Sequence, residues 1–150
     1  MKESSLIVDL VQVVPESLVI NVPEKLTKDL FAEPFFDFEV QKIDAGGFLF
    51  TVIVESRIDD NDRDNPILLV INHSMFGLRS ANANIKIVER DDMLNALLVC
   101  SINAVAHNYG MCVSLTYNTP LVNYGIPSGV ISAENILKKL ESKKILDLFV

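Results

Sequence analysis

Basic side chains are scarce in this sequence, in which 13 Lys and Arg stand against 20 Asp and Glu, for a formal net charge of −7. Nucleic acids and anionic membrane surfaces attract proteins through positively charged faces. We therefore expect this protein neither to bind nucleic acid nor to attach to an anionic membrane.

Cysteine and histidine are scarce as well, with two of each: Cys100, Cys112, His73 and His107. Both cysteines lie in one predicted helix, where a rise of about 1.5 Å per residue holds them too far apart for a disulfide. Unpaired buried thiols are typical of a reducing compartment. The cysteine spacing is also unsuitable for zinc, so we expect no metal and no cofactor.

Sequence motifs of catalysis are missing too. The chain contains no serine nucleophile elbow and no glycine-rich phosphate loop. Cys100 and His107 share a helix face, but about 10 Å of helix axis separates them, whereas a nucleophile and its base lie about 3 Å apart. They can meet only across a subunit interface. We expect no enzymatic activity.

A cluster of acidic residues has part of the spacing of a calcium loop, with Asp60, Asp62 and Asp64 at its first, third and fifth positions. Asn65 replaces the usual glycine, and Ile71 replaces the bidentate glutamate. The pattern favours a solvated hairpin loop, with a weak cation site as the alternative.

The N-terminal sequence MKESSLIVDL lacks the long apolar core of a secretory signal, so we expect a cytoplasmic protein. A length of 150 residues fits a single domain, 1–150. Hydrophobic residues make up 49% of the chain, which is high for a soluble monomer and indicates either a partly apolar surface or an oligomer that covers it.

The long stretch from Met93 to Tyr117 contains no Asp, Glu, Lys or Arg, and its apolar residues recur at helical spacing. One stripe of mostly large residues comprises Leu94, Leu98, Ser101, Val105, Asn108, Cys112 and Leu115. A second stripe of mostly small residues comprises Ala96, Val99, Asn103, Ala106, Gly110 and Val113. We predict a helix that packs on a sheet through one side and on a second copy of the chain through the small-residue stripe.

A membrane span is the alternative for this stretch, since about 20 mostly apolar residues suffice to cross a bilayer. Polar side chains inside it, among them Asn103, His107 and Asn108, would be costly in lipid. The sequence therefore favours the buried helix of a soluble oligomer, without membrane insertion. We expect His107 to be hydrogen-bonded there, with a bond across the oligomer axis as one option, and its titration near pH 6 as an interface group is a hypothesis.

The rest of the chain predicts strands followed by helices, the order typical of an α+β domain. The predicted strands are Leu6–Val14 and Ser17–Val22, separated by Pro15 and Glu16, then Phe36–Ile43, Phe48–Ile58 and Ile67–Arg79. Ser132 is predicted to cap a final helix. The phenylalanines between Phe31 and Phe38 are either ordinary core residues or a partly exposed aromatic groove.

This order of elements resembles that of the SecB-type export chaperones and their SecB-like relatives, from about Phe36 to Leu140. The matching segments are the hairpin FLFTVIVESRI and ILLVINHSMFGLR, the helical CSINAVAHNY, and the following YNTPL and IPSGVISAENIL. The resemblance implies a four-stranded antiparallel sheet with a long helix and a shorter C-terminal helix on one face. It also implies a dimer, or a dimer of dimers, packed through the long helices.

In function, the resemblance implies a non-enzymatic holdase chaperone that binds unfolded or unassembled client polypeptides in apolar grooves. The corresponding groove residues here are Phe31, Phe35, Phe36, Phe38, Tyr124 and Ile126. The family's acidic tail, which meets the export ATPase, has no counterpart at Leu148-Phe149-Val150, which puts docking to that ATPase in doubt. The alternative function is a structural or inhibitory module that binds one specific folded partner.

Overall fold

The computed structural model describes residues 6–21, 35–43, 49–59, 66–80, 90–117, 119 and 132–148. Within these ranges the strands are β1 (Leu6–Ile20), β2 (Phe35–Lys42), β3 (Leu49–Asp59) and β4 (Pro66–Ser80). The helices are α1 (Arg90–Thr116), α2 (Ala133–Ser142) and a short 3-10 helix (Ile145–Leu148). The strands form one antiparallel sheet in the order β1-β4-β3-β2. The predicted α+β fold is thus confirmed.

The first strand differs from the prediction, which divided it at Pro15. It is continuous from Leu6 to Ile20, and Pro15 pairs with Asn72 of β4. Proline is tolerated because β1 is an edge strand. It pairs with a neighbour on one side only, so the N–H that proline lacks is not required on the other side. Register shifts between Leu10 and Gln12 and between Pro15 and Ser17 accommodate the extra residues. The break predicted at Pro15 is therefore wrong.

The inner face of the sheet supplies much of the core. Alternate residues of β3, including Phe50, Val52 and Val54, are fully enclosed, and Phe76 of β4 stacks on Phe50 with ring centroids 5.9 Å apart. This period of two is typical of a sheet with one face covered. The helices pack on this face.

The long helix α1 lies across β3 and β4 with one side buried. Asp91 and Asp92 occupy its first turn, where a carboxylate interacts favourably with the helix dipole. Its buried residues recur every three or four positions: Met93, Ala96, Leu97, Cys100, Ser101, Ala104, Val105, Asn108, Cys112 and Thr116. The predicted helix, packed on a sheet through one side, is confirmed.

The shorter helix α2 begins as predicted at Ser132, whose hydroxyl oxygen accepts a hydrogen bond from the Asn135 N–H at 3.1 Å. Its buried residues Ile136 and Leu140 are four positions apart and join the core that contains Phe38 of β2. These contacts seat α2 beside α1, close to the β2 edge of the sheet.

A buried polar network fixes the position of α1 on the sheet. The Asn108 side-chain amide donates to the carbonyl oxygens of Val54 at 3.2 Å and Val70 at 3.1 Å, and to Asn72 Oδ1 at 2.8 Å. In return, the Ser56 hydroxyl donates to Asn108 Oδ1 at 2.5 Å. Asn108 therefore bridges β3 and β4, and sliding α1 along the sheet would leave these groups without partners.

Candidate functional site

The side of α1 that faces away from the sheet contains five of the six residues predicted as an oligomer interface. Val99 is 48% exposed and Val113 is 37% exposed. Asn103, Ala106 and Gly110 between them are exposed as well. We call these five residues the outer face of α1.

The outer face has open space beside Gly110. A Cβ added there would meet no atom of the described residues within 4 Å, apart from the neighbouring backbone of its own helix. Asn103 turns its amide back onto its own helix, donating to the Val99 carbonyl oxygen at 2.8 Å. Between Val99 and Val113 the side chains therefore project little from the helix, because they are small or, in Asn103, bonded back to the helix backbone. A second helix could approach the backbone of α1 closely there.

Ala96, the sixth residue of the predicted interface, lies elsewhere. It is only 6% exposed and belongs to the core of its own chain. Ala96 is three positions after Met93 and four before Cys100, so it shares their side of the helix. The stripe of small residues therefore begins on the sheet side of α1 and passes to the outer side at Val99.

The predicted client-binding residues separate into three environments. Phe35 is 48% exposed, Phe36 is partly buried, and Phe38 is 2% exposed and part of the core. Phe36 and Phe38 pair with the inward-facing Ser56 and Val54 of β3, which places them on the helix side of the sheet. The remaining predicted residues, Phe31, Tyr124 and Ile126, lie outside the described residues, as do Asp60, Asp62 and Asp64.

Both cysteine thiols lie in the core rather than in an open cleft. Burial raises the pKa of the Cys100 thiol to about 12. Burial likewise raises the pKa of Cys112 to about 11, with a smaller opposing effect of a hydrogen bond from Ser56. Because the thiolate is the nucleophilic form, neither cysteine is activated at neutral pH.

The two histidines have different surroundings. Nδ1 of His107 is buried and has no hydrogen-bond partner among the described residues of the single chain, so a bond across the oligomer axis stays a prediction. His73 lies on the opposite, outer face of the sheet, with Nε2 3.2 Å from a Glu16 carboxylate oxygen. His73 and Glu16 line a shallow pocket of about 330 Å³, together with Val14, Thr51 and Met75. Sequence reasoning did not predict this pairing, because Glu16 lies at the bulge after Pro15.

By length and composition α1 is apolar enough to cross a membrane. Core helices of soluble proteins meet the same criterion, and 44% of the apolar window in α1 is buried inside the structure. In the part of the chain that the structure describes, no group of three or more His, Cys, Asp or Glu is arranged to hold a metal ion.

A scan against protein-family models finds no match to this chain, and a search of curated proteins finds no significant match. Membership of the SecB-like family is accordingly a proposal, whereas the α+β fold is observed in the structure.

Proposed function

We propose that the chain is a non-enzymatic SecB-like chaperone, a cytoplasmic holdase that binds unfolded or unassembled polypeptides as a homo-oligomer. The main supporting observation is the apolar surface of the single chain. Nine large hydrophobic side chains are exposed among the described residues: Leu10, Val11, Val14, Leu18, Phe35, Ile43, Val99, Val113 and Tyr117. Four of them, Leu10, Val11, Val14 and Leu18, lie along the single edge strand β1, and exposed apolar side chains that are grouped in this way are typical of surfaces that contact other polypeptides.

The outer face of α1 is the proposed contact between copies of the chain. Val99 and Val113 provide apolar side chains at its two ends, and Ala106 and Gly110 let a second helix come close. Burying apolar surface there contributes about 25 cal/mol per Å² removed from water. A two-fold arrangement would bring the same residues of both copies together, which closes the assembly at a defined size.

Client binding is proposed at Phe35 and the accessible part of Phe36, together with the predicted residues Phe31, Tyr124 and Ile126. Phe38 is a core residue in this structure and is left out of the proposed surface. Shallow apolar contacts of this kind stabilise an extended chain without selecting its sequence. The proposal of a non-enzymatic function is supported by the buried, protonated state of both thiols.

The test is suppression of aggregation of a chemically unfolded client, followed by light scattering, with wild-type protein and two variants. Phe35→Ser removes the proposed contact. Ile43→Ser is the matched control, because Ile43 is 47% exposed just beyond the other end of the same strand. We expect Phe35→Ser to retain about half or less of the wild-type suppression and Ile43→Ser to retain all of it.

Equal suppression by wild type and Phe35→Ser would remove Phe35 from the client surface. Failure of the wild-type protein to suppress aggregation of any unfolded client would contradict the holdase function itself. In that case, recovery of one folded partner at fixed stoichiometry would favour the alternative, a structural or inhibitory interaction module.

A further inference from the structure

The outer edge of β2 is occupied by side chains instead of by another strand. The Phe36 carbonyl oxygen accepts a hydrogen bond from Lys139 Nζ at 3.1 Å, and the Phe38 carbonyl oxygen accepts one from Lys143 Nζ at 2.6 Å. Between them, the Phe38 N–H donates to Asp37 Oδ1 at 2.8 Å. Three backbone groups near the start of an edge strand thus have partners within the chain.

Asp37 holds both lysines in this position. Its Oδ1 accepts from Lys143 at 2.6 Å and from Lys139 at 3.2 Å. The Lys139 ammonium also lies 5.0 Å from the centre of the Phe36 ring, and the Lys143 ammonium lies 5.5 Å from that of Phe38, within range of a cation–π attraction. We call this arrangement of Asp37, Lys139 and Lys143 the lysine clasp.

The fold orients the two lysines without strain. Lys139 and Lys143 are four positions apart, so they project from the same side at the end of α2. Ile136 and Leu140 anchor that helix in the core beside Phe38. The clasp is therefore a consequence of how α2 packs and needs no rearrangement to form.

An edge strand with free N–H and C=O groups is a template for another strand, and lysines are one of the means by which natural sheets prevent this pairing. We propose that the lysine clasp closes the β2 edge to strand addition by a second copy of this chain. Any incoming strand would have to displace two ammonium groups and leave Asp37 without its partners.

The strand excluded in this way is β1 of the second copy. β1 is the other edge of the same sheet, it is 15 residues long, and Leu10, Val11, Val14 and Leu18 along it are exposed. A contact of β1 with β2 would join two different surfaces. Such a heterologous contact repeats from copy to copy and builds an open filament unless the rotation between copies closes a ring, whereas a contact between identical surfaces ends at a dimer. The clasp thereby prevents growth of the assembly through its sheet edges.

The test compares Lys139→Met/Lys143→Met with Lys138→Met/Lys144→Met. Both double variants lose two positive charges from the same segment, but Lys138 and Lys144 are exposed, and Lys138 pairs with Glu134 of its own helix. We expect the clasp variant to show a weight-average mass at least ~2-fold above wild type that rises with concentration in sedimentation velocity. The control variant should have the wild-type mass.

Hydrogen exchange locates the new contact. Amides of residues 35–42 should become more protected from exchange in the larger assemblies of the clasp variant. A second control is Lys139→Arg/Lys143→Arg, which keeps both charges and donors and should have the wild-type mass. Wild-type mass for a folded clasp variant, or equal growth of both Met variants, would overturn the proposal. If the clasp variant does not fold, Asp37→Asn provides the second measurement, and an unchanged mass for it would also overturn the proposal.

Discussion

The Asn108 network gives the sharpest quantitative prediction, because it is buried and each partner is known. Asn108→Ala removes the acceptor of the Ser56 hydroxyl and the donor to Asn72 Oδ1. Each buried group left without a good partner costs about 1–3 kcal/mol. Ser56 retains the weak Cys112 thiol as a neighbour, and the remaining 3.4 Å bond of Asn72 to Ser74 is donated by Nδ2, so it does not replace the donor that Oδ1 loses. We therefore expect the free energy of unfolding to fall by about 2–5 kcal/mol.

The assay is urea unfolding at fixed protein concentration, followed by far-UV circular dichroism because the chain contains no tryptophan. Asn95→Ala is the matched control, since Asn95 is exposed on the same helix. It should change stability by no more than about 0.5 kcal/mol. Asn108→Ala/Ser56→Ala should cost less than the sum of the single variants, because the second change removes the hydroxyl that the first leaves unpaired. A loss no larger for Asn108→Ala than for Asn95→Ala would refute the argument.

Three further predictions concern the thiols, the outer face of α1 and the clasp. Because burial raises the pKa values of Cys100 and Cys112, neither thiol should react with a thiol reagent at pH 8 in the folded protein. Both should react in urea, where the chain is unfolded, and fast labelling of the native protein would contradict this prediction. Gly110→Ala adds a methyl group where the single chain has open space, which by helix propensity alone would stabilise the chain by about 1 kcal/mol. If a second helix packs there, the dissociation constant of the oligomer should instead rise by about 10-fold, so greater stability with unchanged assembly would contradict the interface. Although burial raises the pKa of Asp37, hydrogen bonds from Lys143, the Phe38 N–H and Lys139 outweigh it and hold that pKa below its usual value. A lowered pKa stabilises the folded state above the unfolded-state value of about 3.9 and loses this effect as pH falls through the folded value. The stability difference between wild type and Asp37→Asn should therefore be constant near pH 7 and shrink below about pH 4, and a difference independent of pH would contradict the clasp.

Periodicity in the sequence predicted the elements well, because it reflects a local requirement for one buried side. The alternation in β3 and the helical spacing of α1 each identify the residues that meet the core. The same spacing could not place Ala96, which belongs to the small-residue stripe by sequence and to the core by position. Whether a residue at the border of two stripes is buried or exposed depends on which element packs beside it. The local sequence does not specify that neighbour.

Contacts between distant residues were beyond sequence reasoning. Asp37 and Lys143 are separated by 106 positions, and Asn108 lies 54 positions from Val54. Nothing in the local sequence distinguishes Lys143, which bonds to Asp37 and Phe38 of β2, from the adjacent Lys144. Pro15 misled the prediction for a related reason: whether a proline interrupts a strand depends on whether that strand is at an edge of the sheet.

The mass of the native protein in solution decides whether a second copy of the chain covers the outer face of α1. Sedimentation equilibrium between about 1 and 100 μM spans the concentrations at which a stable dimer persists and a weak one dissociates. We expect a species of two or more copies of the 16.7 kDa chain. A single species of 16.7 kDa throughout that range would contradict it.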